Sequence, residues 1–501
     1  MSVVASTDAP VNRSMIICSV MLATIMTAID TTIANVALPH MAGSMSASAD
    51  QITWVLTSYI VAMAIVTPMS GWLAGRFGRK RVFMVSIIGF TVASALCGAA
   101  QSLEQIVLFR VLQGACGATL APLSQAVILD AYPIEERGPA MAVWSMGMIV
   151  APIAGPVLGG WLTDDLNWRW VFYINLPVGA LAVLGVMSFI PDARTERRAA
   201  FDIAGFALLS VVLIAVQLVL DRGPSADWFQ SREIVIEASV AVVALILFLI
   251  HTMAAAHPFM PIALLGDRNL VATTILGMAV GVVVFAAMAL LPPMTQNLLG
   301  YPVATAGVVM APRGIGAMIS TYFAGRLIGK ADDRMLIVMG LGMFAVAFEA
   351  MSHFSLQMSA NAISTAGFIQ GLGGGFIFVP MTTLAFATLA PSLRADGAGF
   401  ATLIRNLGNS AGISITQAVF TRNVQVVHNR LVEGLTPDNP LARAPYLAAP
   451  YTLSDPVGLT TLNGEVTRQA SMVAYVDVFH LLFLTTLLTA PLVLLLRKPG
   501  R

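Results

Sequence analysis

Fourteen apolar stretches, separated by polar segments, follow one another along this sequence. Each contains about 20 residues, the length that a helix needs to cross the hydrocarbon core of a bilayer. Charged residues form only 11% of the chain, whereas a soluble domain carries roughly 25%. The pattern therefore predicts an all-α membrane protein with spans at 14–38, 52–71, 82–100, 106–129, 138–161, 168–190, 201–220, 232–252, 270–298, 303–328, 334–353, 361–389, 396–420 and 472–495.

Lys and Arg residues collect in every second loop between these stretches. Cytoplasmic loops of membrane proteins carry the excess of such residues, so both termini are predicted to be cytoplasmic, as an even number of spans requires. The segments that this orientation places in the cytoplasm contain Arg13, Arg76, Arg79, Lys80, Arg81, Arg137, Arg194, Arg197, Arg198, Arg268, Arg326, Lys330, Arg334, Arg394, Arg497, Lys498 and Arg501.

Several classes of function find no support in the composition. The net charge is +1 without a basic or acidic block, so no nucleic-acid partner is predicted. The six His lack ligand spacing, and we predict no metal and no cofactor. Gly408-Asn-Ser-Ala-Gly412 matches a hydrolase nucleophile motif, but it falls inside a helical span instead of a strand-to-helix turn. We therefore predict no enzyme, and we expect its two glycines to pack against another helix.

Two pairs of segments repeat along the chain. Trp72-Leu-Ala-Gly-Arg76 resembles Tyr322-Phe-Ala-Gly-Arg326 at an offset of 250 residues, and Gln113-Gly114 corresponds to Gln370-Gly371 at an offset of 257. The repeats predict two six-helix halves related by an axis along the membrane normal. They divide the chain into residues 1–190, two inserted helices within 191–265, and residues 266–501 with a long periplasmic loop at 421–471.

Five motifs resemble those of one transporter family. They are, in chain order, Ile29-Asp-Thr-Thr-Ile-Ala-Asn-Val-Ala-Leu-Pro39, Gly71-Trp-Leu-Ala-Gly-Arg-Phe-Gly-Arg-Lys80, Arg110-Val-Leu-Gln-Gly114, Gly155-Pro-Val-Leu-Gly-Gly160 and Trp168-Arg-Trp-Val-Phe-Tyr-Ile-Asn-Leu-Pro177. Nearly the whole chain resembles the major facilitator superfamily, and within it the fourteen-helix drug:proton antiporter subfamily of EmrB/QacA type. The resemblance implies a major facilitator fold with 14 transmembrane helices, arranged as six, two and six.

The resemblance also implies a function. It indicates a proton-coupled secondary transporter that crosses the lipid bilayer of the cell inner membrane many times and exports amphipathic or aromatic small molecules. It implies a periplasmic adaptor and an outer-membrane channel as partners. The subfamily includes importers of organic nutrients such as the vitamin riboflavin, so uptake is the alternative. A receptor or scaffold is a third class, but the largest loop is too short for a substantial output domain.

Asp30 is the acidic residue that most requires an explanation. A carboxylate within a span costs about 2.5–3.5 kcal/mol on insertion scales. The small or polar residues that share its helix face, at spacings of three and four, are Ser19, Ala23, Thr27, Ala34 and Ala37. Such a face packs against neighbouring helices, so we expect Asp30 to point into the bundle. The resemblance implies a role in proton coupling or substrate recognition, and a purely structural hydrogen bond is the alternative.

Other polar residues inside spans are candidates for the same site. Arg110 must find acceptors, and with Gln113 it marks a central helix of the resembling family. Pairing with Asp30 and bridging to backbone carbonyls are both open. Arg405 and Asn409 form a similar polar group in the second half.

The resemblance assigns two further segments to conformational change. The gating loop contains Gly71, Arg76, Gly78, Arg79 and Lys80. Many family members have Asp where this chain has Gly75, so the usual salt bridge is either missing or supplied by Asp130. The antiporter motif, which the family associates with export, comprises Gly155, Pro156, Gly159 and Gly160. Small residues every four positions predict close approach of another helix, and a structural hinge is the alternative.

Overall fold

The apolar stretches form long helices in a computed structural model, which describes residues 12–52, 54–191, 201–224, 226–256, 258–390, 393–435 and 456–497. Within a bilayer a helix satisfies all of its backbone hydrogen bonds internally, which is why apolar stretches fold this way. The long helical segments of the described residues are α1 (Arg13–Met45), α2 (Trp54–Phe77), α3 (Arg79–Ala99), α4 (Leu103–Ala131), α5 (Ile134–Asp165), α6 (Trp170–Phe189), α7 (Ile203–Arg222), α8 (Arg232–Ala254), α9 (Arg268–Leu298), α10 (Val303–Leu327), α11 (Asp333–Met351), α12 (Ala360–Ala387), α13 (Arg394–Glu433) and α14 (Pro456–Leu495).

Eleven of these segments are long and apolar enough to cross a membrane, judged by length and composition over the described residues. The remaining three are α5, α10 and α13. The all-helical prediction is confirmed, because the described residues contain helices and connecting turns and no strand. The count of fourteen transmembrane helices and the orientation of the termini stay predictions.

The prediction of a long loop at 421–471 is wrong over much of that range. Helix α13 continues to Glu433 and α14 begins at Pro456, while residues 436–455 lie outside the described residues. These helical extensions are polar, and pairs such as Arg468 with Glu465 stabilise them locally, with Nε to Oε2 at 2.8 Å. Hydropathy detects only the apolar part of a helix. The predicted end of α13 therefore came too early in the chain, and the predicted start of α14 came too late.

The chain divides into two compact units. The first comprises residues up to Ser210, Phe248–Leu264 and Leu389–Leu403, and the second comprises Val211–Leu247, Leu265–Thr388 and Ile404 onward. In the first unit α1 packs against α4, α5 and α6, around buried residues such as Phe83, Phe90 and Phe172. In the second, α12 packs against α9, α10 and α11. The predicted domain boundaries after residues 190 and 265 stay predictions, and Arg194, Arg197 and Arg198 lie outside the described residues.

The helices α7 and α8 are among the least buried of the eleven candidate spans. In their most apolar stretches 33% and 22% of the residues are buried, compared with 33% in α6 and α14 and 39–61% in the other seven. A helix that is apolar all round and poorly buried by protein is suited to contact with lipid. Arg222 of α7 joins Glu237 of α8 through Nη1 and Oε1 at 2.9 Å.

Asp202 fixes the other end of this helix pair. One carboxylate oxygen accepts the backbone N–H of Gly205 at 2.9 Å, and the other accepts the N–H of Phe259 at 2.9 Å. The imidazole of His251, near the end of α8, lies 2.8 Å from the first oxygen. Asp202 therefore caps α7 and ties its start to the segment that follows α8.

Replacing Asp202 by Asn should lower the melting temperature of the purified protein at pH 7. Burial raises the pKa of Asp202, but the hydrogen bonds from Gly205, Phe259 and His251 outweigh it and hold the pKa below its usual value. Because the pKa is lower in the folded state, the ionised carboxylate stabilises the fold at any pH above the pKa of the unfolded state, about 3.9. This stabilisation is lost as the pH falls through the pKa of the folded state. The difference between the two proteins should therefore shrink towards pH 3.

The matched control is Asp165→Asn, which removes an exposed carboxylate at the end of α5 that has no partner among the described residues. This control should melt like the unaltered protein. A melting temperature for Asp202→Asn that equals the control at pH 7 would show that the cap does not stabilise the fold.

Candidate functional site

One face of α1 is buried along its length, with Asp30 near its middle. The predicted face is confirmed, since its members Ser19, Ala23, Thr27, Asp30, Ala34 and Ala37 are all buried. The side chain of Asp30 has no solvent exposure. A carboxylate in that position must be compensated by other groups of the protein.

Three side chains from two other helices compensate Asp30. From α4, Arg110 Nη1 lies 2.5 Å from Asp30 Oδ2, and Gln113 Nε2 donates to Oδ1 at 2.8 Å. At the start of α6, Asn175 Nδ2 donates to Oδ1 at 3.0 Å. The structure thus brings together the predicted site residues Asp30, Arg110 and Gln113, while their role stays a prediction.

Arg110 is as buried as its partner. Its Nε donates to the carbonyl of Val55 at 2.9 Å, and its Nη1 also contacts Gln113 Oε1 at 2.8 Å. The guanidinium carbon lies 4.1 Å from the centroid of the Tyr59 ring, which is within the range of a cation–π interaction. Its Nη2 has no hydrogen-bond partner among the described residues. Both of the interactions considered for Arg110, with Asp30 and with a backbone carbonyl, are present.

Asn175 and Ser94 belong to this network but were missed by sequence reasoning. Asn175 Nδ2 lies 2.9 Å from Ser94 Oγ, whose hydroxyl donates to the carbonyl of Phe172 at 2.8 Å. Asn175 lies in the motif Trp168–Pro177 and is the only amide side chain in it. An amide placed within an apolar span requires partners, and that signal could have identified it.

The prediction of a gating loop from Gly71 is wrong in its structure, because the segment is helical on both sides of Gly78. Gly71 and Arg76 belong to α2, which ends at Phe77, and Arg79 and Lys80 begin α3. Gly78 adopts a φ of 87°, which favours glycine. Arg79 forms an ion pair with Asp130, and Lys80 Nζ donates to the carbonyl of Met187 at 2.8 Å. The salt bridge expected from the family is therefore present, with Asp130 as its acid, although Gly75 replaces the usual Asp. The gating role stays a prediction.

Close packing surrounds this segment. Gly71 leaves no room for a Cβ beside Asp396. Arg76 lies over the ring of Trp72 at 5.5 Å, and in the second unit Arg326 lies over Tyr322 at 4.5 Å. The two repeated segments thus share a contact as well as a sequence.

The antiporter motif lies on α5, which packs against α1. A Cβ on Gly155 would overlap Thr32, and one on Gly159 would come within 3.0 Å of Ile33 Cγ1. Gly160 is buried, and the side chain of Pro156 lies outside the described part of the structure. The predicted close approach of another helix is confirmed, and the partner is the helix that carries Asp30.

Arg405 and Asn409 belong to α13 in the second unit. Asn409 Oδ1 lies against Gly281 of α9, where an added Cβ would come within 2.5 Å of it, and it has no hydrogen-bond partner among the described residues. Gly408 and Gly412 contact the backbone of α9 at Met278 and Val282. The hydrolase-like motif is thus a helix-packing pair, as predicted.

Comparison with known proteins places this geometry in a family. Residues 20–413 match the family model described as Major Facilitator Superfamily. The Multidrug export protein EmrB of Escherichia coli strain K12 is 39% identical over 428 residues, which cover 85% of this chain and 83% of that protein. The chain belongs to the major facilitator superfamily and, within it, to the family of the EmrB proteins. It is a multi-pass membrane protein.

Other members of the family and of the superfamily are also similar to it. EmrB of Haemophilus influenzae is 36% identical, with 92% of this chain and 91% of that protein covered. The Fatty acid resistance protein FarB of Neisseria gonorrhoeae is 33% identical, with 95% of each covered. The solved structure of the human organic anion transporter MFSD10 superposes with a TM-score of 0.59 at 15% identity, covering 95% of this chain and 99% of that one. This last likeness shows the major facilitator fold.

Proposed function

We propose that this protein is a proton-coupled antiporter of the inner membrane that exports amphipathic or aromatic compounds. The observation that carries the proposal is the fully buried Asp30–Arg110 pair inside the first helical unit. An ionisable residue within a membrane span is by default a candidate for a proton or substrate path. Relatives named for multidrug export and fatty acid resistance support the direction and the class of substrate. Those names give no support to the alternative of riboflavin uptake.

Protonation of Asp30 provides a physical link between the proton gradient and the packing of helices. A proton on this carboxylate removes the negative charge that balances Arg110. The remaining acceptors of Arg110 are Gln113 Oε1 and the carbonyl of Val55. Leaving one member of a buried pair uncompensated costs about 3–5 kcal/mol. The protonated state therefore favours a different arrangement of α1 against α4, and a cationic or polar substrate competes with the proton for Asp30.

The proposed architecture consists of fourteen transmembrane helices in an arrangement of six, two and six, with both termini in the cytoplasm. Its support is that each of the long helices α1–α14 contains most of one of the fourteen apolar stretches, and that Lys and Arg collect in alternate loops. The proposal includes a periplasmic adaptor and an outer-membrane channel, which the family resemblance implies.

Transport by the purified protein tests this function. The full chain is reconstituted into liposomes, and efflux of a fluorescent amphipathic dye is followed while a pH gradient is imposed across the membrane. We expect dye movement that depends on the gradient, runs opposite to the proton flux and stops when a protonophore is added. Movement of dye and protons in the same direction, or dye movement indifferent to the gradient, would contradict antiport.

A further inference from the structure

Asn175 donates two hydrogen bonds from a single nitrogen. Its Nδ2 lies 3.0 Å from Asp30 Oδ1 and 2.9 Å from Ser94 Oγ. The hydroxyl of Ser94 donates its own proton to the carbonyl of Phe172 at 2.8 Å, so towards Asn175 it accepts. Both hydrogens of the amide are therefore used, and the neighbours of Asn175 decide which way its amide points while Asp30 is ionised.

Close helix contacts hold Asn175 in this position. Helix α6 packs against both α1 and α3. One turn after Asn175, a Cβ on Gly179 would overlap the side chain of Thr91 in α3. From the other side, a Cβ on Gly98 of α3 would come to 2.6 Å from the ring of Tyr173. The amide is thus fixed by the packing of α6 against its neighbours, because the backbones at these glycines have no room to separate the two helices and refill the gap with side chains.

The two oxygens of Asp30 differ in the donors that they face. Oδ2 lies 2.5 Å from the charged Nη1 of Arg110, whereas Oδ1 accepts from the neutral amides of Gln113 and Asn175 at 2.8 and 3.0 Å. A hydrogen bond from an ionised donor is roughly twice as strong as one between neutral groups. An incoming proton therefore binds Oδ1 at the lower cost, since there it displaces only neutral donors.

Gln113 is not free to turn when that proton arrives. Its Oε1 accepts from Arg110 Nη1 at 2.8 Å, while its Nε2 donates to Asp30. The thiol of Cys97 also lies 3.6 Å from Oε1. Turning this amide over would direct its NH₂ group at the guanidinium, so Gln113 keeps its orientation in both states of the carboxyl group.

Asn175 is able to turn, because its second partner is a hydroxyl. A half-turn of the amide exchanges its nitrogen and oxygen, and Asn175 Oδ1 then accepts from the O–H of protonated Asp30. The hydroxyl of Ser94 both donates and accepts, so it rotates away from Phe172 and donates to the same oxygen. The only covalent bond that forms in this step is the O–H bond of Asp30, and none breaks within the protein.

Three charged or titratable groups interact electrostatically with Asp30 among the described residues. They are Arg110 of α4, Tyr59 of α2 and Cys97 of α3, whereas α6 contributes the neutral amide of Asn175. A substitution at Asn175 leaves all three groups in the chain. A change in the protonation of Asp30 caused by such a substitution therefore reports the loss of the amide.

We infer that Asn175 is a positioning residue that sets the pH at which Asp30 takes up its proton. In the observed orientation its amide stabilises the ionised carboxylate, and in the turned orientation it accepts from the protonated one. The turn breaks the hydrogen bond between Ser94 and Phe172, so protonation of a residue in α1 alters a contact between α3 and α6. This inference rests on the proposed function, because it supplies the link from the proton-binding carboxylate to two further helices.

The pH dependence of carbodiimide labelling tests this role independently of transport. The purified full-length protein in phosphatidylcholine liposomes is treated with dicyclohexylcarbodiimide, which reacts with protonated carboxyl groups in apolar surroundings. Modification of Asp30 is then measured by mass spectrometry across buffers of increasing pH. Asn175→Leu removes one donor to the ionised form, so the pH of half-maximal labelling should rise by about one unit. Ser94→Ala frees the amide to turn, and it should shift the pH in the same direction by less.

Ser86→Ala is the matched control. It removes a buried hydroxyl from the same helix, α3, but Ser86 Oγ bonds to Thr119 Oγ1 at 2.7 Å and not to Asn175. This variant should label as the unaltered protein does. An unshifted profile in Asn175→Leu would overturn the inference, as would an equal shift in the control or an Asp30 that the reagent never labels in the unaltered protein. Reduced labelling of Asn175→Leu at every pH, with the same midpoint, would assign Asn175 to the fold.

Dye efflux under an imposed pH gradient, measured on the same preparations, separates this inference from the proposed function. A shifted labelling profile in Asn175→Leu without proton-driven export by the unaltered protein would leave the role of Asn175 standing and defeat the proposed function. Proton-driven export by the unaltered protein together with an unshifted profile in Asn175→Leu would do the reverse.

Discussion

Asp30→Asn is expected to leave membrane insertion intact and to abolish proton-driven transport. Asn has nearly the shape of Asp and can still accept a hydrogen bond from Gln113, but it cannot take up a proton near neutral pH. It also leaves the buried Arg110 without its counter-ion, which costs about 3–5 kcal/mol. Insertion is measured by the yield of monodisperse protein from membranes, and transport by dye efflux from liposomes under an imposed pH gradient.

The double variant Asp30→Asn with Arg110→Gln separates coupling from stability. It removes the uncompensated guanidinium, so its melting temperature should recover towards that of the unaltered protein. Transport should remain absent, because the group that exchanges protons is still missing. Recovery of transport along with stability would show that Asp30 acts only through the fold, and normal transport by Asp30→Asn alone would refute the coupling role directly.

Gly371→Ala is expected to prevent correct folding, whereas Gly374→Ala should be tolerated. A Cβ at position 371 would overlap the carbonyl of Arg313 in α10, and backbone atoms cannot move aside as a flexible side chain can. Overpacking costs about 1–3 kcal/mol when side chains can adjust, and more when they cannot. A Cβ at position 374 would meet nothing within 4 Å. Two alanine substitutions one turn apart on α12 should therefore have opposite outcomes.

Both alanine variants can be compared as fluorescent fusions by size exclusion in detergent. Gly371→Ala should appear mainly as aggregate or be lost from the membrane, and Gly374→Ala should elute as the unaltered protein does. The equivalent substitution in the first unit, Gly114→Ala, should resemble Gly371→Ala because it faces the carbonyl of Tyr59. A normal elution profile for Gly371→Ala would mean that α10 and α12 can separate without loss of the fold.

The helices were predictable because lipid leaves the backbone few alternatives. Apolar length alone located α1 to α12 within several residues, and the spacing of small residues identified the buried face of α1. The polar extensions of α13 and α14 were not predictable in the same way. They are stabilised by contacts between side chains, such as His428 Nε2 with Asn463 Oδ1 at 3.0 Å, and hydropathy does not record such contacts.

The candidate site was predicted in part. Asp30, Arg110 and Gln113 stood out because polar groups in apolar spans require partners, but sequence could not decide which partners they choose. Asn175 completes the network from a helix far along the chain, and its identity depends on how α6 packs against α1.

The sparse burial of α7 and α8 has a consequence for the membrane around the protein. At about 1.5 Å per residue, these helices of 20 and 23 residues are about 30 and 35 Å long, close to the thickness of the hydrocarbon core. Polar contacts hold the pair at both ends, through Asp202 with His251 and Arg222 with Glu237. The position of these two helices in the membrane is therefore set by bilayer thickness more than by contacts with neighbouring helices. Lipids with shorter or longer chains should strain this pair before they strain the two compact units.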